Sequence, residues 1–461
     1  MSRRRSPPSP TAPPAGRAAP GVRAAPRLGI IGGGMLGLTL ALRLRAVGYD
    51  VTVYEAADRP GGLAAPWSIG DFTWDKFYHV ILMSDLNVRR LLDELGLTDA
   101  LRWNTTRTGF FTDGRLFSMS DSLEFLRFPP LRLVDKLRLG GTIFYASRRS
   151  DWRALESIPV TDWLRRLSGD RTFEKIWLPL LRAKLGENYG NANAAFIWAT
   201  ISRMYAARRS GLKREMFGFV DGGYDTIISR LETVLAETGV SLRCGARVAR
   251  VETAGAGQAV VLADGTRAAF DAVVMTTPAT HLPELCPELS DAERARLAAI
   301  TYHGIVCASM LLRKPLADYY VTNITDPGVP FTAVIEMTAL VDRERFGGHA
   351  LVYLPRYLTQ TDAFWQADDA TVRDAFLAAI ARMYPAFSPD DVVAFQVARA
   401  RQVMALPTLN YSTTLMPKTT TSRPGLFIVG SAQIPDGTLN VNETIGLAER
   451  ALPVLRDFLE R

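Results

Sequence analysis

The stretch from Leu28 to Glu55, LGIIGGGMLGLTLALRLRAVGYDVTVYE, constrains the fold of this chain more than any other. It opens with an apolar, strand-like run, Leu28 to Ile31, which meets the glycines Gly32, Gly34 and Gly37 in the spacing G-x-G-x-x-G. Met35 to Val47 reads as a helix that Gly48 stops. Val51 to Tyr54 reads as a second strand, and Glu55 ends it. Strand, glycine turn, helix, strand and acid in this order form a dinucleotide-binding fingerprint. Gly32 permits the tight turn, Gly34 lets backbone approach a diphosphate, and Gly37 lets the helix pack close to the strand. The helix start offers free N–H groups and the positive end of its dipole. Glu55 can accept hydrogen bonds from ribose hydroxyls, and its charge repels a 2′-phosphate.

At 461 residues the chain has room for two domains, or for one domain interrupted by another. Its net charge of +7 is mostly local. Arg3, Arg4, Arg5, Arg17, Arg23 and Arg27 lie in a Pro- and Ala-rich tail, residues 1–27, that contains no acid. The near-neutral remainder argues against a nucleic-acid surface. The tail reads as a disordered extension, with a targeting peptide or a basic membrane-touching arm as the competing reading. Cys244, Cys286 and Cys307 are scattered, as are His79, His281, His303 and His349, so neither a dithiol nor a metal site is expected. This cysteine usage fits a reducing, cytoplasmic setting, with membrane association left open. No apolar run is long enough for a transmembrane helix.

Residues 84–150 read as helices and loops, and 160–217 continue as a mainly helical unit. Strand–helix alternation returns at Gly222. A helix from Tyr224 to Thr238 is followed by strands at Ser241 to Arg243, Arg247 to Glu252, Ala259 to Ala263 and Phe270 to Thr276. From Glu284 to Lys418 the strand candidates are Ile305 to Leu312, Phe331 to Met337 and Ala350 to Leu354, with a helix from Thr371 to Met383. GLFIV, Gly425 to Val429, is a short buried strand before the final helix.

Three separated segments then share one pattern. The fingerprint continues into E-A-x-x-R-x-G-G (Glu55, Ala56, Arg59, Gly61, Gly62). The middle segment runs from G-G-Y-x-x-I-I-x-x-L through R-V-A-R-V-E to D-A-V-V-M-T-T-P, and the last is G-L-F-I-V-G…G-L-A-E-R-A. Together they cover roughly 40% of the chain and resemble the flavin amine oxidase superfamily, which includes protoporphyrinogen oxidases, phytoene-type desaturases and, more distantly, UDP-galactopyranose mutases. The resemblance implies an α/β fold: a Rossmann-type FAD-binding domain (28–80, 220–281 and 421–461) interrupted by a mixed helical and antiparallel-sheet substrate domain (81–219 and 282–420). It implies that Gly32, Gly34 and Gly37 cradle the FAD pyrophosphate and that Glu55 holds the adenosine ribose. Arg59 and Gly62 would lie along the phosphate and ribityl side, Val248 would touch adenine through its backbone, and Gly430 would pass the ribityl chain. The start of the last helix, around Val441 and Asn442, would point N–H groups at the flavin N1/O2 edge.

The sequence also departs from the pattern. Leu63 stands where amine oxidases often carry Arg, and Ser431 where an acid is common. No cysteine follows Cys307, so the FAD is expected to be non-covalent. No second G-x-G-x-x-G marks an NAD(P)H domain. The implied activity is FAD-dependent oxidation of a C–N or C–C bond in a small-molecule or lipid-like substrate, with oxygen or a quinone-like acceptor; the alternative is a redox-neutral mutase or isomerase.

His79, at the end of DKFYHV, is the candidate side chain beside the flavin, against a buried histidine bonded to backbone. Asp75 and Lys76 read as surface residues of that loop. Lys314 abuts Pro315 and reads as a strand end rather than a flavin-linked lysine. Lys184, Arg203, Tyr205, Arg208 and Arg209 read as a solvated helix face, with an acidic-substrate cavity as the competing view. SLEFLRFPPLRLVDKLRLGG reads as a packed helix, with a membrane-surface substrate entrance as the alternative.

Overall fold

The computed structural model describes residues 25–207 and 216–460. Its organising element is a five-stranded parallel sheet in the order Leu426–Ile428, Ala272–Met275, Arg27–Ile31, Asp50–Tyr54, Ser241–Arg243. Leu28 sits beside both Val51 and Ala272, and Val274 beside Phe427. Leu28, Ile30, Val51, Val53, Val273 and Val274 are fully buried. Such near-continuous apolar runs are what a sheet covered on both faces requires. On one face pack the helices Met35–Ala46, Leu86–Glu94, Tyr224–Glu237 and Val441–Leu459. The other face packs against the antiparallel strands of 248–270 and the short helices of 282–298.

A second sheet of seven strands is built around Tyr302–Leu312, which is buried at every position. Ala350–Leu358 and Val392–Ala405 flank it in antiparallel pairing. Beside this sheet, the helices between 122 and 207 close over a core that includes Trp163, Phe173, Trp177 and Leu181.

The mainly helical reading of 84–217 needs correction. Leu101–Thr105, Thr108–Thr112, Arg115–Ser118 and Met216–Val220 are strands. Thr108–Thr112 pairs in parallel with Val321–Ile324, and Leu101–Thr105 pairs with Met216–Val220. These strands are short, and for all but Arg115–Ser118, which pairs with Thr108–Thr112 next to it, partners more than a hundred residues away decide their state, so local propensity does not show them. The expected strand Phe270 to Thr276 is two elements. Arg267–Phe270 ends the antiparallel hairpins, while Ala272–Met275 enters the parallel sheet. Val392–Ala405 was not anticipated, because Arg399, Arg401 and Gln402 break its apolar pattern. Arg27 belongs to the first strand rather than to a tail; residues 1–24 of that tail, with Arg208 and Arg209, lie outside the described residues.

Candidate functional site

The carboxyl ends of the parallel strands converge on two glycine turns. Gly32 follows the first strand at φ +113°, donates its N–H to the Tyr54 carbonyl at 2.8 Å, and leaves no room for a side chain: a Cβ there would lie 2.5 Å from Thr276 Oγ1. A Cβ on Gly37 would lie 1.9 Å from the Gly32 carbonyl oxygen, so the helix can sit on the turn only as glycine. Gly34 caps the Met35–Ala46 helix with no side-chain hydrogen bond and no acid in the first turn. The first N–H groups of that helix are therefore open to an anion.

The second glycine pair closes against the first. Gly61 N donates to Gly33 O at 2.8 Å, and a Cβ on Gly62 would stand 3.2 Å from the Gly34 Cα. Both glycines have positive φ, +118° and +60°, which a side chain would strain. The result is a surface made of backbone alone.

Glu55 is held rather than loose. Its Oε2 accepts from Gly33 N at 2.7 Å and its Oε1 from Ala57 N at 2.8 Å. Gly33, an unspecified position of the spacing, thus orients the acid, and a Cβ there would press to 2.9 Å from Glu55 Cβ. Only its being a third consecutive glycine hinted at this in the sequence. Gly245 N and Ala246 N bond the carbonyls of Ala57 and Glu55, which brings Val248 alongside; Val248 is buried and pairs with Leu262. Arg59 is more than half exposed and paired with Asp225 at 2.8 Å.

Gly430 is extended, donates to Gln433 Oε1 at 3.1 Å, and has ordinary space for a Cβ, 3.5 Å from the Thr277 carbonyl. At the last helix, Asn440 Oδ1 accepts from Glu443 N at 3.0 Å and its carbonyl from Thr444 N. This leaves the N–H groups of Val441 and Asn442 outside the helical hydrogen bonds. The Asn442 side chain turns elsewhere, accepting from Asn87 N at 2.8 Å and Val88 N at 3.4 Å to cap the Leu86–Glu94 helix.

Asp75, read from sequence as a surface residue, is buried to 2% exposure. Its flanks, Trp74 and Phe77, are buried with it and were the available signal. Its Oδ1 accepts from Tyr224 N at 2.7 Å, and its carbonyl accepts from the Tyr353 hydroxyl at 2.6 Å. Burial pushes the Asp75 carboxyl up to about 8, against the Tyr224 N–H. His79 lies with Nδ1 3.9 Å from Asp75 Oδ2 and its ring 4.9 Å from that of Tyr224. Its Nδ1 has no hydrogen-bond partner, and burial pushes the imidazole down to about 4. A backbone hydrogen bond with Phe77 pulls the other way, as in the competing reading of a buried histidine bonded to backbone.

The neighbouring Tyr78 pairs hydroxyl to hydroxyl with Tyr357 at 2.9 Å. Lys184 Nζ sits 3.5 Å above the Tyr357 ring. Tyr357 also lines a cleft of about 1520 Å³ between residues 170–187 and the sheet residues 324–332 and 356–362. Three opposite-charge pairs line it: Lys175 with Asp113, Arg182 with Glu187 and Arg356 with Asp362. Arg203 is committed to buried Asp85 at 2.9 Å. Tyr205 is partly buried on the Ala194–Ala207 helix. Lys314 is exposed and 3.6 Å from Asp391, as a strand end would be. Among the described residues no group of three or more His, Cys, Asp or Glu could hold a metal.

The sequence profile described as flavin containing amine oxidoreductase matches residues 36–439. The chain belongs to this family. It is similar to the coproporphyrinogen III oxidase of Mycobacterium bovis, 29% identical over 283 residues that cover 56% of this chain and 60% of that one. It is also similar to a 15-cis-phytoene desaturase of Solanum lycopersicum, 24% identical over 280 residues, 56% of this chain and 47% of the relative. The matched regions thus span about half to three-fifths of these relatives. Among solved structures, a protein from Exiguobacterium sp. provisionally assigned as a protoporphyrinogen oxidase superposes with a TM-score of 0.75 at 18% identity, covering 96% of this chain and all of that one. Reduced UDP-galactopyranose mutase superposes with a TM-score of 0.72 at 16% identity, covering 94% of each chain. As a flavin amine oxidoreductase the chain takes FAD. The glycine surface, the open helix starts and the oriented Glu55 suit that dinucleotide.

Proposed function

We propose that the protein is an FAD-dependent oxidoreductase that removes hydride from a carbon of a C–N or C–C unit in a small-molecule or lipid-like substrate. Oxygen or a quinone-like compound serves as the final acceptor. The observation that supports this best is the backbone-only surface where Gly34 meets Gly62, set against two open helix starts in a member of a flavin family.

In this reading Gly32, Gly34 and Gly37, with the first N–H groups of the Met35–Ala46 helix, hold the diphosphate. Glu55 accepts from the adenosine ribose, Val248 borders adenine through its backbone, and Gly62 and Gly430 flank the ribityl chain. Arg59, engaged by Asp225, contributes only from the rim. The N–H groups of Val441 and Asn442 stabilise negative charge at the flavin ring. Bound FAD supplies a two-electron acceptor, held without a covalent bond. His79 stays neutral at pH 7 beside Asp75 and Tyr224 and is the candidate side chain at the flavin. The Tyr78–Tyr357 hydroxyl pair joins this segment to the large cleft, which takes the substrate. The strands and glycine turns form the cofactor domain, and the seven-stranded sheet with its helices forms the substrate domain.

The test is an anaerobic flavin-reduction screen, read by absorbance, across amines, porphyrinogens, isoprenoids and nucleotide sugars. Purified protein without releasable FAD, or a flavin that dithionite does not reduce, sinks the proposal. Turnover of a nucleotide sugar with no oxidant consumed supports the redox-neutral alternative instead.

A further inference from the structure

Seven of the eleven large apolar side chains exposed among the described residues fall within 123–145. They lie on two adjoining helices, Ser122–Arg127 and Leu133–Arg148, separated by a turn through Pro129 and Pro130. On the longer helix Leu133, Val134, Leu137 and Phe144 share one face, with Leu133 and Leu137 64% and 65% exposed. The opposite face, Asp135, Leu139, Thr142 and Ala146, is buried. That face is firmly anchored: Thr142 Oγ1 lies 2.9 Å from Ser168 Oγ, and Trp198 Nε1 donates to the Ala146 carbonyl at 3.0 Å. Lys136 Nζ donates to the Leu126 carbonyl at 2.7 Å, which fixes the shorter helix beside the longer one. Leu123 and Leu126 extend the same exposed surface.

Arginines rim this surface. Arg127, Arg132, Arg138 and Arg148 are exposed, and none is paired with an acid among the described residues. The only acid on the Leu133–Arg148 helix, Asp135, is buried and bound to Arg171 at 3.3 Å. An apolar helix face with an arginine rim, whose one partly exposed acid, Glu124 on the shorter helix, is engaged by Ser118 Oγ and Ser120 N, matches the two layers of an anionic bilayer surface, acyl chains beneath phosphates. A second copy is a poorer match, because a two-fold contact would set these arginines against one another.

We propose that the Ser122–Arg148 helix pair docks on the surface of an anionic lipid bilayer. It lies in the interface plane, with the leucines and Phe144 entering the acyl boundary and the four arginines meeting lipid phosphates. Arg132 also lines the 1520 Å³ cleft, so docking sets the cleft beside the lipid. If the proposed function holds, an apolar substrate passes directly from bilayer to cleft; the docking itself does not depend on that reading.

The experiment is co-sedimentation of the full FAD-loaded chain with phosphatidylcholine vesicles, with and without about one-third phosphatidylglycerol. The wild type sediments with the anionic vesicles. The triple variant L133Q/L137Q/F144Q partitions about tenfold or more weakly. R132S/R138S weakens partitioning by about fivefold per arginine on anionic vesicles and not on neutral ones. Equal flavin content and melting temperature in all three proteins separate lost docking from lost folding or lost FAD. Absent wild-type sedimentation overturns the proposal. So does undiminished binding by the triple variant, which assigns any lipid affinity to the basic tail. A wild-type dimer that the triple variant dissociates, seen by light scattering, assigns the face to a second copy instead.

Discussion

Gly34 and Gly62, twenty-eight positions apart in the sequence, face each other so closely that a Cβ on Gly62 would stand 3.2 Å from the Gly34 Cα. Neither turn could form this backbone-only surface alone. Gly62→Ala places a side chain at φ +60° and presses it on Gly34, so FAD affinity should fall about tenfold or more, with a stability loss of about 1–2 kcal/mol. Gly37→Ala should cost more stability, about 2–3 kcal/mol, because its Cβ meets fixed backbone 1.9 Å away. Flavin fluorescence titration and thermal melts measure both. Full affinity in Gly62→Ala would rule out a cofactor path between the turns.

Glu55 is prepared by Gly33 N, which holds one carboxylate oxygen, and by Ala57 N, which holds the other. Glu55→Ala removes both acceptors and should weaken FAD binding by about tenfold or more; Glu55→Gln keeps one acceptor and should be intermediate. The comparison is a titration of apoprotein with FAD. Equal affinity across the three proteins would remove Glu55 from the site.

How much could be read beforehand depended on where each residue's partners lie. The Gly32–Glu55 unit was legible because its strand, turn, helix and acid are contiguous, and each demands a residue type. The roles of Gly33 and Asn442 were not, since both rest on side chain–backbone contacts across the chain: Gly33 with Glu55, and Asn442 with Asn87. Asp75 was misjudged because an acid followed directly by Lys76 looks solvated until Tyr224, 149 positions away, supplies its hydrogen bond. Strands such as Thr108–Thr112 escaped for the same reason, since their pairing with Val321–Ile324 is non-local.

Asn442 gives a stability prediction separable from flavin. Its side chain caps the Leu86–Glu94 helix from the far end of the sequence, while its backbone N–H stays available. Asn442→Ala should therefore lower stability by about 1 kcal/mol and leave the flavin spectrum nearly unchanged. A large spectral shift with no loss in melting temperature would place the side chain at the cofactor instead.

Asp75 and His79 bias stability with pH in opposite directions. The folded-state value of Asp75, about 8, lies above its unfolded value, so the native state binds the extra proton between roughly pH 4 and 8. The stability from this group is full below the unfolded value and is lost as pH rises through 8. The folded value of His79, about 4, lies below its unfolded value near 6.5. Its contribution is present above about pH 6.5 and is lost as pH falls toward 4. Between about pH 4 and 6.5 the two slopes oppose each other; above that, Asp75 acts alone. Asp75→Asn keeps an oxygen for Tyr224 N–H and removes the titration. Measured by urea denaturation, the variant should gain roughly 1–2 kcal/mol on the wild type between pH 6.5 and 8.5. His79→Gln removes the opposing slope, so its stability should rise relative to wild type as pH falls from 6.5 toward 4. A gap between wild type and Asp75→Asn that stays constant across this range would show that the carboxylate is already ionised at neutral pH, stabilised by the start of the Tyr224–Glu237 helix against its burial.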